Sequence, residues 1–245
     1  MLAQQGPLTA WVFPASSLSA WGKRAPDGTL VPSRASEALA ANPRARAVLD
    51  GSMFSLCSSG GYARADCADL DYLLRGEGVS DGGENPTDGL TISVTPAGTA
   101  RVLPGAAVVD GARVAVQLYP TLVRDGAVIV SNRDNNADRV WRAALGVMAD
   151  GRLVFAIMVA DMQTFARALI AFGVRDAGYT DGGGSASLAV RGDQRYGASE
   201  DRRVASWLLA YDPAPPAGLP SPFATVAVAA ALGALTYAAV RLAMR

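Results

Sequence analysis

The chain has 245 residues, of which 50% are hydrophobic, and its 22 lysines and arginines balance 22 aspartates and glutamates. This composition excludes a disordered chain and supplies enough apolar residues for a buried core. Zero net charge argues against a nucleic-acid binder, because neutralising phosphates requires a surplus of cations. The sequence contains no histidine, which excludes Ser-His-Asp and Cys-His catalysis and imidazole-ligated zinc. Any chemistry must therefore use carboxylates, hydroxyls, arginines or backbone amides.

The periodicity of the first 211 residues predicts a sheet-dominated α+β domain, with mixed or antiparallel strands and a few packed helices. A short helix is predicted over Ser36–Asn42, ending before Pro43. A second helix begins after Asp161, a good N-cap, and places four apolar side chains at helical spacing before Gly173. These four residues are Met162, Phe165, Leu169 and Phe172.

Three Asp-Gly pairs separate short β-type runs, and each pair predicts a hairpin because both residues tolerate a positive φ. They are Asp110-Gly111, Asp125-Gly126 and Asp150-Gly151. The two cysteines, Cys57 and Cys67, are too few for a metal knuckle. They form either a small disulfide loop in an oxidising compartment or two inert thiols.

The C-terminal part of the chain differs sharply in composition from the rest. Residues 212–222 are rich in proline and predict an extended linker. Residues 223–244 follow with no charge before Arg241, and this predicts a single transmembrane helix; an alanine-rich helix packed on protein is the alternative. The terminal arginines favour an exported domain, whereas the missing basic n-region favours a cytosolic domain with a tail anchor.

The segment Asp181-Gly-Gly-Gly-Ser185 is the strongest candidate for a functional site. Glycines let the backbone approach a ligand closely and can form an anion-binding nest of N–H groups. Asp181 at its start could serve as acid, base or sugar ligand. A flexible hairpin loop with an Asx turn explains the same residues without a function.

Two further segments carry charged residues beside apolar runs. Asp50 ends one such run, although Asp-Gly alone is ordinary turn chemistry. Arg142 lies in Arg139-Val-Trp-Arg142, which in isolation is typical of a solvated strand edge. A polar loop alternates four possible calcium ligands, but it lacks the glycine and glutamate of an EF-hand and is expected to be solvated. Those ligands are Asn132, Asp134, Asn136 and Asp138.

Five strings, taken in order, resemble the phosphodiester glycosidase family over about residues 45–211. They are Asp50–Phe54, Gln117–Gly126, Arg142–Leu153, Asp181–Ser185 and Asp201–Val204. The family usually has asparagine at the position of Asp50 and glutamate at that of Asp201. A carboxylate at position 50 could still bind a sugar hydroxyl, but it would repel a phosphate.

The resemblance implies hydrolysis of a sugar-1-phosphodiester on a glycan or glycoconjugate, without a metal or another cofactor. Asp181, Asp50 and Arg142 are the catalytic candidates, with arginines suited to bidentate phosphate contact. The candidate substrate-binding residues are Gly182, Gly183, Gly184, Ser185, Asp201 and Arg202. The alternative function is a membrane-tethered module that binds a glycan or sugar phosphate without cleaving it. A purely structural protein would lack a ligand-sized pocket beside Asp181.

Overall fold

Apolar strands dominate the computed structural model, which describes residues 2–59, 62–76, 80–82, 89–130, 138–192, 195–199 and 202–212. Every strand pair among these residues is antiparallel. The prediction of a sheet-dominated α+β fold is therefore confirmed for this part of the chain, which contains two α-helices and a short 3-10 turn at Ala15–Ser17.

The largest sheet has seven strands. In spatial order they are β1 (Leu2–Gln5), β2 (Leu8–Phe13), β15 (Leu153–Ala160), β14 (Val140–Met148), β16 (Val174–Tyr179), β12 (Thr121–Arg124) and β13 (Ala127–Val128). Two of the predicted hairpins, β12–β13 and β14–β15, lie in this sheet and are confirmed. Asp125 and Gly126 have φ values of 49° and 76°, as a two-residue turn that follows the strand twist requires.

The second sheet contradicts one of the three predicted hairpins. Its five strands, in spatial order, are β10 (Ala100–Pro104), β9 (Leu90–Val94), β11 (Val114–Leu118), β7 (Leu74–Arg75) and β8 (Ser80–Asp81). The hairpin predicted at Asp110-Gly111 is wrong, because β9 lies between β10 and β11 and pairs with both. Asp110 and Gly111 lie in the connection between those two strands, where their turn geometry does not determine strand pairing.

The third sheet also has five strands. In spatial order they are β18 (Arg195–Gly197), β17 (Ser187–Val190), β4 (Ala45–Asp50), β19 (Trp207–Tyr211) and β3 (Leu18–Trp21). After β4 the chain enters a separate hairpin of β5 (Phe54–Ser59) and β6 (Tyr62–Leu70). Cys57 and Cys67 are joined by a disulfide across this hairpin, which decides between the two states that the sequence allows.

Each helix covers the outer face of a sheet. Helix α2 (Met162–Ala171) begins at the predicted N-cap, where the Asp161 carboxylate accepts a 2.8 Å hydrogen bond from the backbone N–H of Thr164. Its buried side chains pack on the seven-stranded sheet. Helix α1 (Ala35–Ala41) begins one residue earlier than predicted and packs on the third sheet.

The main core lies between the three sheets. It joins Phe155 of β15, Ile92 of β9 and Leu49 of β4, all of which are buried. This arrangement brings the end of β4, in the third sheet, next to the end of β16, in the largest sheet. Asp50 and Asp181, the two aspartates that are catalytic candidates from the sequence, lie at that junction.

Residues 213–245 lie outside the described residues, and so do the predicted membrane segment 223–244 and nearly all of the predicted linker 212–222. Among the described residues there is no helix of the length and apolarity that a bilayer span requires.

Candidate functional site

Strands from two sheets meet at the centre of the candidate site. The backbone N–H of Asp181, just after β16, donates a 3.2 Å hydrogen bond to the carbonyl of Gly51, just after β4. Gly51 in turn donates to the carbonyl of Ser206 at 3.0 Å, and a β-carbon at Gly51 would overlap the Ser206 hydroxyl. Glycine at position 51 therefore allows the chain after β4 to pass close to Ser206, while its carbonyl binds the backbone of Asp181.

Asp50 is fully buried behind the glycine-rich loop. One carboxylate oxygen accepts a 2.9 Å hydrogen bond from the Thr180 hydroxyl, and the other accepts a 2.8 Å hydrogen bond from the backbone N–H of Ser187. Burial raises the pKa of Asp50 well above its ordinary value, and the nearby charge of Asp181 raises it further. Asp50 thus connects both ends of the loop, Thr180 before it and Ser187 after it.

The three glycines have distinct structural roles. Gly182 donates to the Asp181 carboxylate at 2.9 Å, and a β-carbon on Gly182 would overlap the hydroxyl of Tyr179. Gly183 has a φ of 57° and donates to the carbonyl of Trp141 at 2.8 Å. Gly184 is exposed, with open space where its β-carbon would be. The loop is therefore held to the protein at its first two glycines and open at the third.

Ser185 is buried and links Arg202 to Asp181. The guanidinium of Arg202 donates two hydrogen bonds to the Ser185 hydroxyl, at 3.2 and 3.3 Å. Burial raises the pKa of the Asp181 carboxyl, while hydrogen bonds from Ser185 and Gly182 and the positive charge of Arg202 oppose that rise. Asp181 is half-buried and Arg202 is exposed, so a ligand can reach both.

Arg142 lies deeper than the sequence suggests. It is 3% exposed and belongs to β14, which lies between β15 and β16, so the alternative of a solvated strand edge is wrong. Its guanidinium donates to the carbonyls of Ala160 and Asp138 and, at 3.2 Å, to the Tyr179 hydroxyl. Arg142 thereby fixes the ring that packs under Gly182.

The predicted charged and hydroxyl side chains that the structure describes lie together around the glycine-rich loop. They are Asp50, Arg142, Asp181, Ser185 and Arg202. Asp201 lies outside the described residues, as do Asn132, Asp134 and Asn136 of the predicted polar loop. Among the residues that the structure describes, no cluster of three or more acidic or cysteine side chains could hold a metal ion.

Sequence reasoning missed several residues of this site. No sequence motif marks Tyr179 or Thr180, although both hydrogen bond to charged groups of the site. Asp71 was also missed, and its negative charge raises the pKa of Asp181. In the sequence, Asp71 is marked only by its position before Tyr72 at the end of a strand. Asp71 reaches this site through tertiary pairing, which the sequence does not show.

Comparisons with known proteins identify the family of this chain. The sequence model of the phosphodiester glycosidase family matches residues 43–211, which include every described residue of the site. Comparison with individually curated protein sequences gives no significant match.

Solved structures share the fold at low sequence identity. The catalytic domain of zebrafish N-acetylglucosamine-1-phosphodiester alpha-N-acetylglucosaminidase, auto-inhibited by its pro-peptide, aligns with a TM-score of 0.56 and 14% identity over 86% of this chain and 85% of its own. A putative exported protein from Burkholderia pseudomallei aligns with a TM-score of 0.58 and 14% identity, over 84% and 74% of the two chains. A hypothetical protein from Synechocystis gives 0.50 and 15%, over 86% and 61%.

Proposed function

Because the chain belongs to the phosphodiester glycosidase family, we propose that it hydrolyses the bond between the anomeric carbon of a sugar and the oxygen of a phosphodiester. The observation that carries the proposal is the chain of contacts from exposed Arg202 through Ser185 to Asp181. When such a bond breaks, negative charge develops on the departing phosphate and positive charge at the anomeric carbon. A guanidinium and a carboxylate, both accessible to a ligand, have the charges that stabilise them.

The phosphate is bound on the side of Arg202. Two of its nitrogens already converge on the Ser185 hydroxyl, and its remaining N–H groups can donate to phosphate oxygens. The exposed backbone at Gly184 lets the ligand approach without a clash. Stabilising the departing phosphate monoester is the main requirement, since phosphate is a better leaving group than a sugar alcohol.

Asp181 is the base in this proposal. It takes a proton from water as the water oxygen bonds to the anomeric carbon, while the bond from that carbon to the phosphate oxygen breaks and its electron pair leaves with the phosphate monoester. The products are a free sugar, a phosphate monoester and the proton, which Asp181 then releases to solvent. The raised pKa of Asp181 suits a base, because proton transfer is most efficient when the pKa approaches the working pH.

Asp50 and Arg142 act through other residues in this proposal. Asp50 is 0% exposed and Arg142 is 3% exposed, so neither presents its charge to a ligand at the surface. Asp50 positions Thr180 and Ser187, and Arg142 positions Tyr179. These positioning roles replace the direct substrate contacts that the sequence suggests.

The test is hydrolysis of phenyl phosphodiesters of common hexoses, both anomers, followed by release of free sugar. We expect Asp181→Asn to lower kcat at least 100-fold, since a positioned base typically contributes 10²–10⁴. In the wild type, kcat/KM rises with pH through an inflection above about 3.9, the ordinary value for aspartate, because Asp181 must be ionised.

Asp110→Asn is the matched control, because Asp110 is exposed in the β10–β11 connection and its loss should leave turnover unchanged. A folded Asp181→Asn variant with undiminished turnover would remove Asp181 from the mechanism. Saturable binding without turnover by the wild type would support the glycan-binding module instead.

The Cys57–Cys67 disulfide supports an exported position for the domain, because disulfides persist in oxidising compartments. We therefore propose that residues 223–244 anchor an exported domain to the membrane. Protease added to intact cells should remove the domain, and protection until the cells are lysed would contradict this orientation.

A further inference from the structure

Two tyrosines lie side by side next to the glycine-rich loop Asp181–Ser185. The rings of Tyr72 and Tyr119 have centroids 5.7 Å apart and planes inclined by 30°. Both residues are half-buried, so part of each ring is open to a ligand. Their contact follows from strand pairing, since the backbone N–H of Gln117 donates to the carbonyl of Leu73 at 2.8 Å and aligns the two segments.

Short hydrogen-bonded links connect both tyrosines to the loop. The backbone N–H of Tyr119 donates to the carbonyl of Tyr179 at 3.2 Å, two residues before Asp181. The carbonyl of Tyr72 accepts a 3.0 Å hydrogen bond from the Ser52 hydroxyl, and Ser52 follows the glycine that binds the backbone of Asp181. The aromatic pair therefore borders the site at Asp181.

Asp71 adds an exposed carboxylate to the same border. Its backbone N–H donates to the carbonyl of Met53 at 2.9 Å, and its side chain accepts a 3.0 Å hydrogen bond from the Ser55 hydroxyl. Phe54 pairs with Leu70 across the hairpin, so Asp71 lies just beyond the end of this pairing. Arg202 lies over the Phe54 ring, with its guanidinium 6.0 Å from the ring centroid.

We propose that Asp71, Tyr72 and Tyr119 form the subsite for the sugar ring, and that this subsite selects an uncharged hexopyranose; the inference rests on the proposed function. A pyranose has an apolar C–H face that packs on aromatic rings, while tyrosine hydroxyls and a carboxylate bind its hydroxyl groups. Asp71 and Asp181 together repel a sugar that carries its own carboxylate. The phosphate then points toward Arg202, so the sugar contacts the tyrosines and the phosphate binds the guanidinium.

The test compares the phenyl phosphodiesters of glucose and glucuronic acid, which differ only at C6. For the wild type we expect kcat/KM to be about ten-fold higher for the glucose diester, because the extra charge meets Asp71 at short range. Asp71→Asn keeps an oxygen acceptor for Ser55 and should remove most of this preference. Asp71→Lys should reverse it.

The aromatic contribution is tested with Tyr72→Leu and Tyr119→Leu. Each should raise KM about ten-fold for both diesters and change kcat by less than three-fold, since the lost contact is with the bound sugar and not with the reacting bond. Tyr211→Leu is the matched control, a half-buried tyrosine paired with Ala45 at the far end of β4 from Asp50. It should leave KM unchanged.

The outcomes separate this inference from the proposed function. A folded wild type that hydrolyses neither diester refutes the proposed function itself. A wild type that hydrolyses them overturns the sugar subsite if its charge preference survives Asp71→Lys, or if KM is unchanged in both leucine variants. Should the leucine variants fail to fold, the exposed Asp71 substitutions still decide the matter.

Discussion

The substitution Gly182→Ala tests the packing beneath the glycine-rich loop Asp181–Ser185. A β-carbon there would overlap the hydroxyl and the adjoining ring carbon of Tyr179. Tyr179 is 6% exposed, and its hydroxyl accepts a hydrogen bond from Arg142, so the ring cannot move aside without leaving a buried guanidinium N–H unpaired. Overpacking costs about 1–3 kcal/mol, and a lost hydrogen bond to a charged group about 1.5–3 kcal/mol.

We therefore expect Gly182→Ala to lower the free energy of unfolding by about 2.5–6 kcal/mol and to lower kcat as well. Gly184→Ala is the matched control, because open space surrounds the position of its β-carbon; its stability should change by about 0.5 kcal/mol or less. Urea unfolding at pH 7, followed by the fluorescence of the four tryptophans, measures both. Equal stability of the two variants would refute the proposed contact between Tyr179 and the loop.

Three other predictions concern buried charge and the disulfide. Burial raises the pKa of Asp50 in the folded state, so stability should fall as pH rises from about 4 through the folded pKa, by up to about 1.4 kcal/mol per pH unit; unfolding of Asp50→Asn across pH should lack this slope. Arg142→Lys should cost about 2–3 kcal/mol, since one ammonium cannot reach the three acceptors that the guanidinium binds; stability equal to the wild type would contradict this. Replacing Cys57 and Cys67 by alanine should lower stability by about 2–3 kcal/mol, from the entropy of closing a loop with a separation of 10 residues, and thermal unfolding with and without reductant checks it.

The sequence predicts the local features of this fold well. The N-cap at Asp161 and the hairpins at Asp125-Gly126 and Asp150-Gly151 depend on neighbouring residues, and all are found in the structure. The hairpin at Asp110-Gly111 fails because its flanking strands both pair with β9, a choice made by residues far along the chain. Turn chemistry specifies where the chain reverses, whereas strand order depends on burial in the completed core.

Some residues of the candidate site can likewise be predicted from local sequence, and others cannot. Asp181 and its glycines are visible in the sequence because glycine is the usual residue where the backbone turns tightly or approaches a ligand closely. The depth of Arg142 and the full burial of Asp50 are invisible there, since both depend on which strands flank β14 and β4. Asp71 and Tyr72 enter the site through pairing with distant segments, and no local motif marks them.

The central claim is that the sugar–oxygen bond breaks, and the position of an oxygen label tests it directly. Hydrolysis of a phenyl sugar phosphodiester by the wild type in ¹⁸O-labelled water, analysed by mass spectrometry of both products, shows which atom the water attacks. We predict that ¹⁸O appears at the anomeric position of the released sugar and that the phosphate monoester stays unlabelled. Label in the phosphate monoester would mean attack at phosphorus and would contradict the assignment of this site as a glycosidase.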